Sequence, residues 1–95
     1  MAIRVLMKRS VSEDHQEVLR KLTDRLRVLA MGQEGYVSGE TLKRIDHPGV
    51  SLIISKWKSL AAWERWFRTP EREQLQRQID ELLGEKTVYE IYDFD

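Results

Sequence analysis

The chain has 95 residues, 41% hydrophobic and 34% charged, the balance of a folded globular protein rather than a disordered one. At this length the core is small, and association with a second copy is one usual remedy. Sixteen Lys and Arg offset sixteen Asp and Glu, so no net positive field is available for nucleic acid or a membrane surface.

Residues 2–11 alternate, with Ile3, Val5 and Met7 on one side and Arg4, Leu6 and Lys8 on the other, the period of a strand. Ser12, Glu13 and Asp14 then mark a helix start, the Ser12 hydroxyl as cap and the acids at the positive end of the dipole. Val18, Leu19, Leu22, Leu26 and Leu29 recur at spacings of three and four, and Arg20, Lys21, Asp24, Arg25 and Arg27 fill the other side. That is an amphipathic helix, with Gly32 as its expected left-handed terminator. Residues 35–44 read as a second strand. Asp46-His47-Pro48-Gly49 reads as a turn, with Pro fixing one dihedral and Gly supplying a positive one.

Val50–Trp57, rich in β-branched and aromatic residues, completes a hairpin. Ser59 caps a helix over Leu60–Phe67. Thr69-Pro70 restarts it, with Thr as cap and Pro at the first helical position. Leu75, Ile79, Leu82 and Leu83 continue the apolar stripe until Gly84, and residues 87–94 form a fourth strand. The order β-α-β-β-α-β is the α+β, ferredoxin-like pattern, with both helices on one face of a four-stranded antiparallel sheet. Both faces of the last strand are greasy: Tyr89 and Ile91 on one side, Val88, Tyr92 and Phe94 on the other. A sheet with one wet face alternates more cleanly, so the expectation is a homodimer whose two sheets stack into an α/β-barrel.

The chain has no cysteine, which excludes disulfides and zinc–thiolate sites. The longest apolar run, over residues 50–54 and interrupted by Ser51, is too short for a bilayer. Arg4, Lys8 and Arg9 break what a signal peptide would keep apolar. A single domain over residues 1–95, cytoplasmic and without nucleic-acid or membrane partners, is expected.

The stretch Ile54-Ser55-Lys56-Trp57-Lys58-Ser59-Leu60-Ala61-Ala62-Trp63-Glu64-Arg65-Trp66-Phe67-Arg68-Thr69-Pro70 resembles the signature of the antibiotic biosynthesis monooxygenase family. That signature has a strand ending in Trp, a polar turn, a helix of the form Ala-aromatic-x-x-Trp/His, and then Ser/Thr-Pro. Glu34-Gly35-Tyr36 is similar to the family's turn into its second strand. The resemblance implies a dimeric α/β-barrel and a monooxygenase that needs no metal or flavin, acting on a small aromatic or quinol-type ligand. Haem-degrading members use an Asn late in the first strand, a Trp on the second helix and a His further along. Trp66 matches the Trp, Lys8 takes the Asn position and Gln76 the His position. In the quinol and polyketide monooxygenases, a His often stands where Trp66 stands.

The candidate catalytic residues are therefore Trp66, Tyr36 and Lys8, and the candidate substrate contacts are Trp63, Trp66, Tyr89 and Arg4. Trp63 and Trp66, three apart, form either hydrophobic core or dimer contact, or else the aromatic wall of a pocket. The tyrosines fill the barrel or orient a phenolic substrate through their hydroxyls. Arg4 and Lys8, sharing a face with Leu6, are a solvated edge or stabilise an anionic enolate or phenolate if that face lines the pocket. Arg65 and Arg68 read as surface charges, and Arg72, Arg77 and Lys86 form no compact basic stripe. His47 in its tight turn and His15 in a helix first turn make poor general bases. A non-enzymatic dimeric ligand-binding module is the alternative to an enzyme, and a haem binder a third reading.

Overall fold

Alternation and helical spacing both translate into elements close to their expected places. The computed structural model describes residues 2–94. Its order is β1 (Ile3–Ser10), a 3-10 turn (Glu13–His15), α1 (Gln16–Met31), β2 (Tyr36–Lys43), β3 (Val50–Trp57), α2 (Leu60–Phe67), α3 (Pro70–Leu83) and β4 (Glu90–Asp93). The four strands make one antiparallel sheet in the order β2-β3-β1-β4, which is the ferredoxin-like arrangement. No helix among the described residues is long and apolar enough to cross a membrane.

Strand parity decides which side chains meet the helices. On β1 these are Ile3, Val5, Met7 and Arg9, and their β3 partners are Trp57, Ser55, Ile53 and Ser51. On β2 the register slips between Tyr36, opposite Trp57, and Ser38, opposite Lys56. The extra residue, Val37, is a bulge, and it lets both Tyr36 and Gly39 face the helices. Ile3, Val5, Trp57, Ala30, Ala62, Trp63 and Trp66 form one buried cluster. Leu19, Leu22 and Ile79 form a second, between α1 and α3. Ile79 is fully buried, a burial that stabilises by about 1.5–3 kcal/mol relative to exposure.

Local signals differ from the sequence expectation in five places. Gly32 ends α1 at φ −85° rather than left-handed. The positive φ falls instead at Gly35, at 90°, where the turn into β2 carries the chain against Ala62. Ser12 does not cap a backbone N–H; its hydroxyl meets His15 Nδ1 at 3.3 Å. Thr69 likewise turns back, donating to the Arg65 carbonyl at 3.2 Å. Val18 lies off the buried stripe of α1, 49% exposed. The fourth strand spans only Glu90–Asp93 rather than residues 87–94, because Thr87 and Tyr89 are tied by side-chain hydrogen bonds to α3 instead of to a ladder. The Ser59 cap, which accepts from the Ala62 N–H at 3.1 Å, Pro70 in the first turn of α3 and left-handed Gly84 stand as expected.

Candidate active site

A half-open cavity of about 120 Å³ lies between the helices and the helix-facing side of the sheet. Trp57 is its structural base. That residue is 1% exposed, stacks on Trp66 at 6.1 Å between centroids, takes the edge of Tyr36 at 5.3 Å, and donates from Nε1 to Ser55 Oγ at 3.1 Å. Trp63 and Trp66, both 8% exposed, reach the same cavity from α2. The two roles weighed for them from sequence are thus combined, since they belong to the core and line the cavity. Gly39 leaves room for the Tyr36 ring: a Cβ there would come within 2.6 Å of the Tyr36 hydroxyl. Arg27 of α1 donates from Nη2 to the Gly39 carbonyl at 2.8 Å, joining α1 to β2 at an exposed border of the cavity.

The far end is polar. Arg72 and Gln76, four apart on α3, are both buried, as is Arg9 at the end of β1. Arg72 donates from Nη1 to the Phe67 carbonyl at 2.9 Å and from Nη2 to the Tyr89 hydroxyl oxygen. Its guanidinium also lies 4.3 Å from the Phe67 ring centroid and 5.3 Å from that of Tyr89, within cation–π range. Gln76 donates to Asp80 Oδ1 at 2.9 Å and to Thr87 Oγ1 at 2.8 Å, and Thr87 donates to the same Asp80 oxygen at 2.9 Å. Burial raises the Tyr89 hydroxyl above the usual tyrosine pKa, and the positive charges of Arg72 and Arg9 only partly oppose this. Tyr89 therefore stays neutral at physiological pH. Since its oxygen accepts from Arg72, its own O–H proton is free to be donated into the cavity.

Of the residues singled out from sequence, Trp66, Trp63, Tyr36 and Tyr89 converge on this cavity. Lys8 and Arg4 do not. They alternate with Met7, Val5 and Ile3 and point to the other side of the sheet, both exposed, with Arg4 stacked 5.0 Å from the Phe94 ring centroid. By parity the late-β1 positions that reach the cavity are Met7 and Arg9, not Lys8. Gln76 does line the cavity where the resemblance places an iron ligand, but its amide nitrogen is engaged by Asp80 and Thr87. His15 and His47 are exposed and do not line the cavity. These residues do not fit a haem ligand set. Arg68 lies 3.9 Å from Glu64 at the surface.

Sequence reading missed Arg9, Arg72 and the cavity-lining role of Trp57. The signals were present: Arg9 continues the parity of Ile3, Val5 and Met7, and Arg72 and Gln76 share a helical side with Ile79.

The sequence model of the antibiotic biosynthesis monooxygenase family matches residues 1–78. Among solved structures, a conserved protein from Methanosarcina mazei Go1 superposes with a TM-score of 0.91 at 20% identity, over 100% of this chain and 94% of that one. Rv0793 from Mycobacterium tuberculosis gives 0.86 at 18% identity, over 99% and 95%. SnoaB, a cofactor-independent oxygenase from Streptomyces nogalater, gives 0.86 at 15% identity, over 99% and 93%. At these identities the structures establish a common fold. A comparison with curated proteins finds no match. With the family match running over most of its length, the chain belongs to the antibiotic biosynthesis monooxygenase family.

Proposed function

We propose that this protein is a cofactor-independent monooxygenase acting on an electron-rich aromatic or quinol-type substrate held in the cavity. The observation that carries the reading is the half-buried Tyr89 hydroxyl, fixed by Arg72 at the polar end of a tryptophan-walled cavity. Family membership and the likeness in fold to an oxygenase that needs no cofactor support oxygen chemistry. A quinol that has lost a proton can pass an electron to oxygen itself. Overall, one ring C–H becomes a C–O bond, the second oxygen atom leaves as water, and the quinol ends as a hydroxyquinone. Trp63, Trp66 and Tyr36 would exclude water and hold the ring. Tyr89 would donate to the substrate oxygen, and the Arg72 charge would stabilise negative charge growing there.

The test is oxygen uptake with a panel of dihydroquinones and anthrones in metal-free buffer. Uptake matched by hydroxyquinone is expected, and Tyr89→Phe should lower kcat by about 10²-fold. Absence of uptake across the panel, with binding retained, would make the protein a ligand-binding module instead.

A homodimer is part of the same proposal. The accessible surface of the isolated chain is 6684 Å², against roughly 5,700 Å² for a compact monomer of this mass. The sheet face away from the helices carries half-buried Leu6, Leu52 and Ile54 beside exposed Leu42 and Tyr92. A second copy of that face is the covering such a surface calls for.

A further inference from the structure

Arg9 is 5% exposed, lines the cavity, and has an Nε atom with no hydrogen-bond partner. A buried guanidinium without a carboxylate is costly, and proteins keep one where something else satisfies it. Asp80 acts on Arg9 through space, but its Oδ1 is already committed to Gln76 and Thr87. Arg72, the second buried cation, adds repulsion rather than relief, and burial holds Arg9 below the usual arginine range. Two buried positive charges thus lie at one end of an aromatic cavity, and among the described residues no carboxylate forms a salt bridge with Arg9. The cavity, at about 120 Å³, is on the scale of the roughly 150 Å³ apolar void that accepts benzene.

We infer that the ligand is a single-ring aromatic acid, its ring against Trp57, Trp63 and Trp66 and its carboxylate on Arg9. This rests on the proposed function for the use of the site, and it adds that the substrate carries an acidic group which neutral quinols lack. A planar carboxylate matches the guanidinium fork and supplies the acceptor that Nε lacks.

The experiment is anaerobic titration, followed by tryptophan fluorescence and calorimetry, with 2,5-dihydroxybenzoate, the neutral 2,5-dihydroxybenzamide and hydroquinone. The acid should bind about tenfold or more tighter than the amide, the weight of a charge-assisted hydrogen bond in a desolvated site. Arg9→Met should erase that preference by weakening the acid far more than the amide, whose carbonyl loses only a neutral acceptor's hydrogen bond. Its thermal midpoint should hold or rise, because a buried unpaired charge has been removed. Equal affinities for acid and amide in the unaltered protein would overturn the inference, as would an acid preference that survives in Arg9→Met. If Arg9→Met does not fold, the acid–amide comparison in the unaltered protein decides alone. Acid-selective binding with no oxygen uptake by the acid would sink the monooxygenase reading and keep the anion site. Turnover of hydroquinone without any acid preference would do the reverse.

Discussion

The Tyr89 hydroxyl is where chemistry and stability can be separated by one atom. Its folded pKa is raised above the unfolded value near 10. The native state therefore holds this proton more tightly than the unfolded chain. The resulting stabilisation is fully present below about pH 10 and is lost as pH climbs through the raised value. In an ultraviolet alkaline titration of the folded protein, Tyr89 should ionise later than free tyrosine does, and Tyr89→Phe should delete that late step. The same variant leaves an Arg72 donor unmatched and should cost about 1–3 kcal/mol in denaturant unfolding. Trp66→Ala is a different kind of change. Trp66 stacks on Trp57 inside the core cluster, so truncation should cost about 3–5 kcal/mol and weaken ligand binding together with the fold. A Trp66→Ala protein of unaltered denaturant midpoint would show that the ring serves the cavity alone. The aromatic half of the site was legible because tryptophans three apart on a helix must share a side. The cationic half was not. A charged residue at a strand end reads as solvent-facing, whereas in the fold Arg9 is buried within range of Arg72 and Asp80 of α3 and of Tyr89.

Elements were legible where one period dominates. β1 and β3 alternate or carry β-branched runs, and their bounds fall within a residue of expectation, while α1, with its leucines at helical spacing, ends at Met31 as expected but begins only at Gln16, after a 3-10 turn over Glu13–His15. The start of β4 was not, because Thr87 and Tyr89 have strand propensity but bond to α3, a tertiary choice that residue type does not encode. The glycines divide in the same way. Gly84 is left-handed with open space around its Cα, so Gly84→Ala should cost about 1–2 kcal/mol of backbone strain alone. Gly35 is also at positive φ, but a Cβ there would collide with Ala62 of α2, and its carbonyl accepts the Lys58 N–H at 2.7 Å. Gly35→Ala should therefore be the more damaging, by at least about 1 kcal/mol in denaturant midpoints, since overpacking adds to the strain. It should also perturb Tyr36, the next residue and a cavity wall. Equal costs for the two alanines would mean that α2 can move away from the turn without penalty.

For the chain taken entire, the layer order was legible from the element sequence alone, while the face away from the helices mixes apolar residues with Arg4, Lys8 and Lys56, and the proposed dimer would cover it. The helices take one side and form the cavity on it. The other side presents Leu6, Leu52 and Ile54 along adjacent β1 and β3, with Leu42 and Tyr92 on the flanking strands. Because β1 and β3 are the central strands, a charge placed there sits in the middle of any sheet-on-sheet contact, where desolvation is most severe. Light scattering at micromolar concentration should give a particle of about twice the 11.3 kDa chain mass. Ile54→Glu should shift it to the single-chain mass. The substitution points away from the helices, so the Trp57–Trp66 stack and the Arg9–Arg72 end of the cavity should be preserved and ligand binding retained. If Ile54→Glu leaves the mass unchanged, the chains meet through some other surface. If it abolishes ligand binding while the variant stays folded, the partner copy helps to build the site, and the cavity of one chain is not the complete pocket.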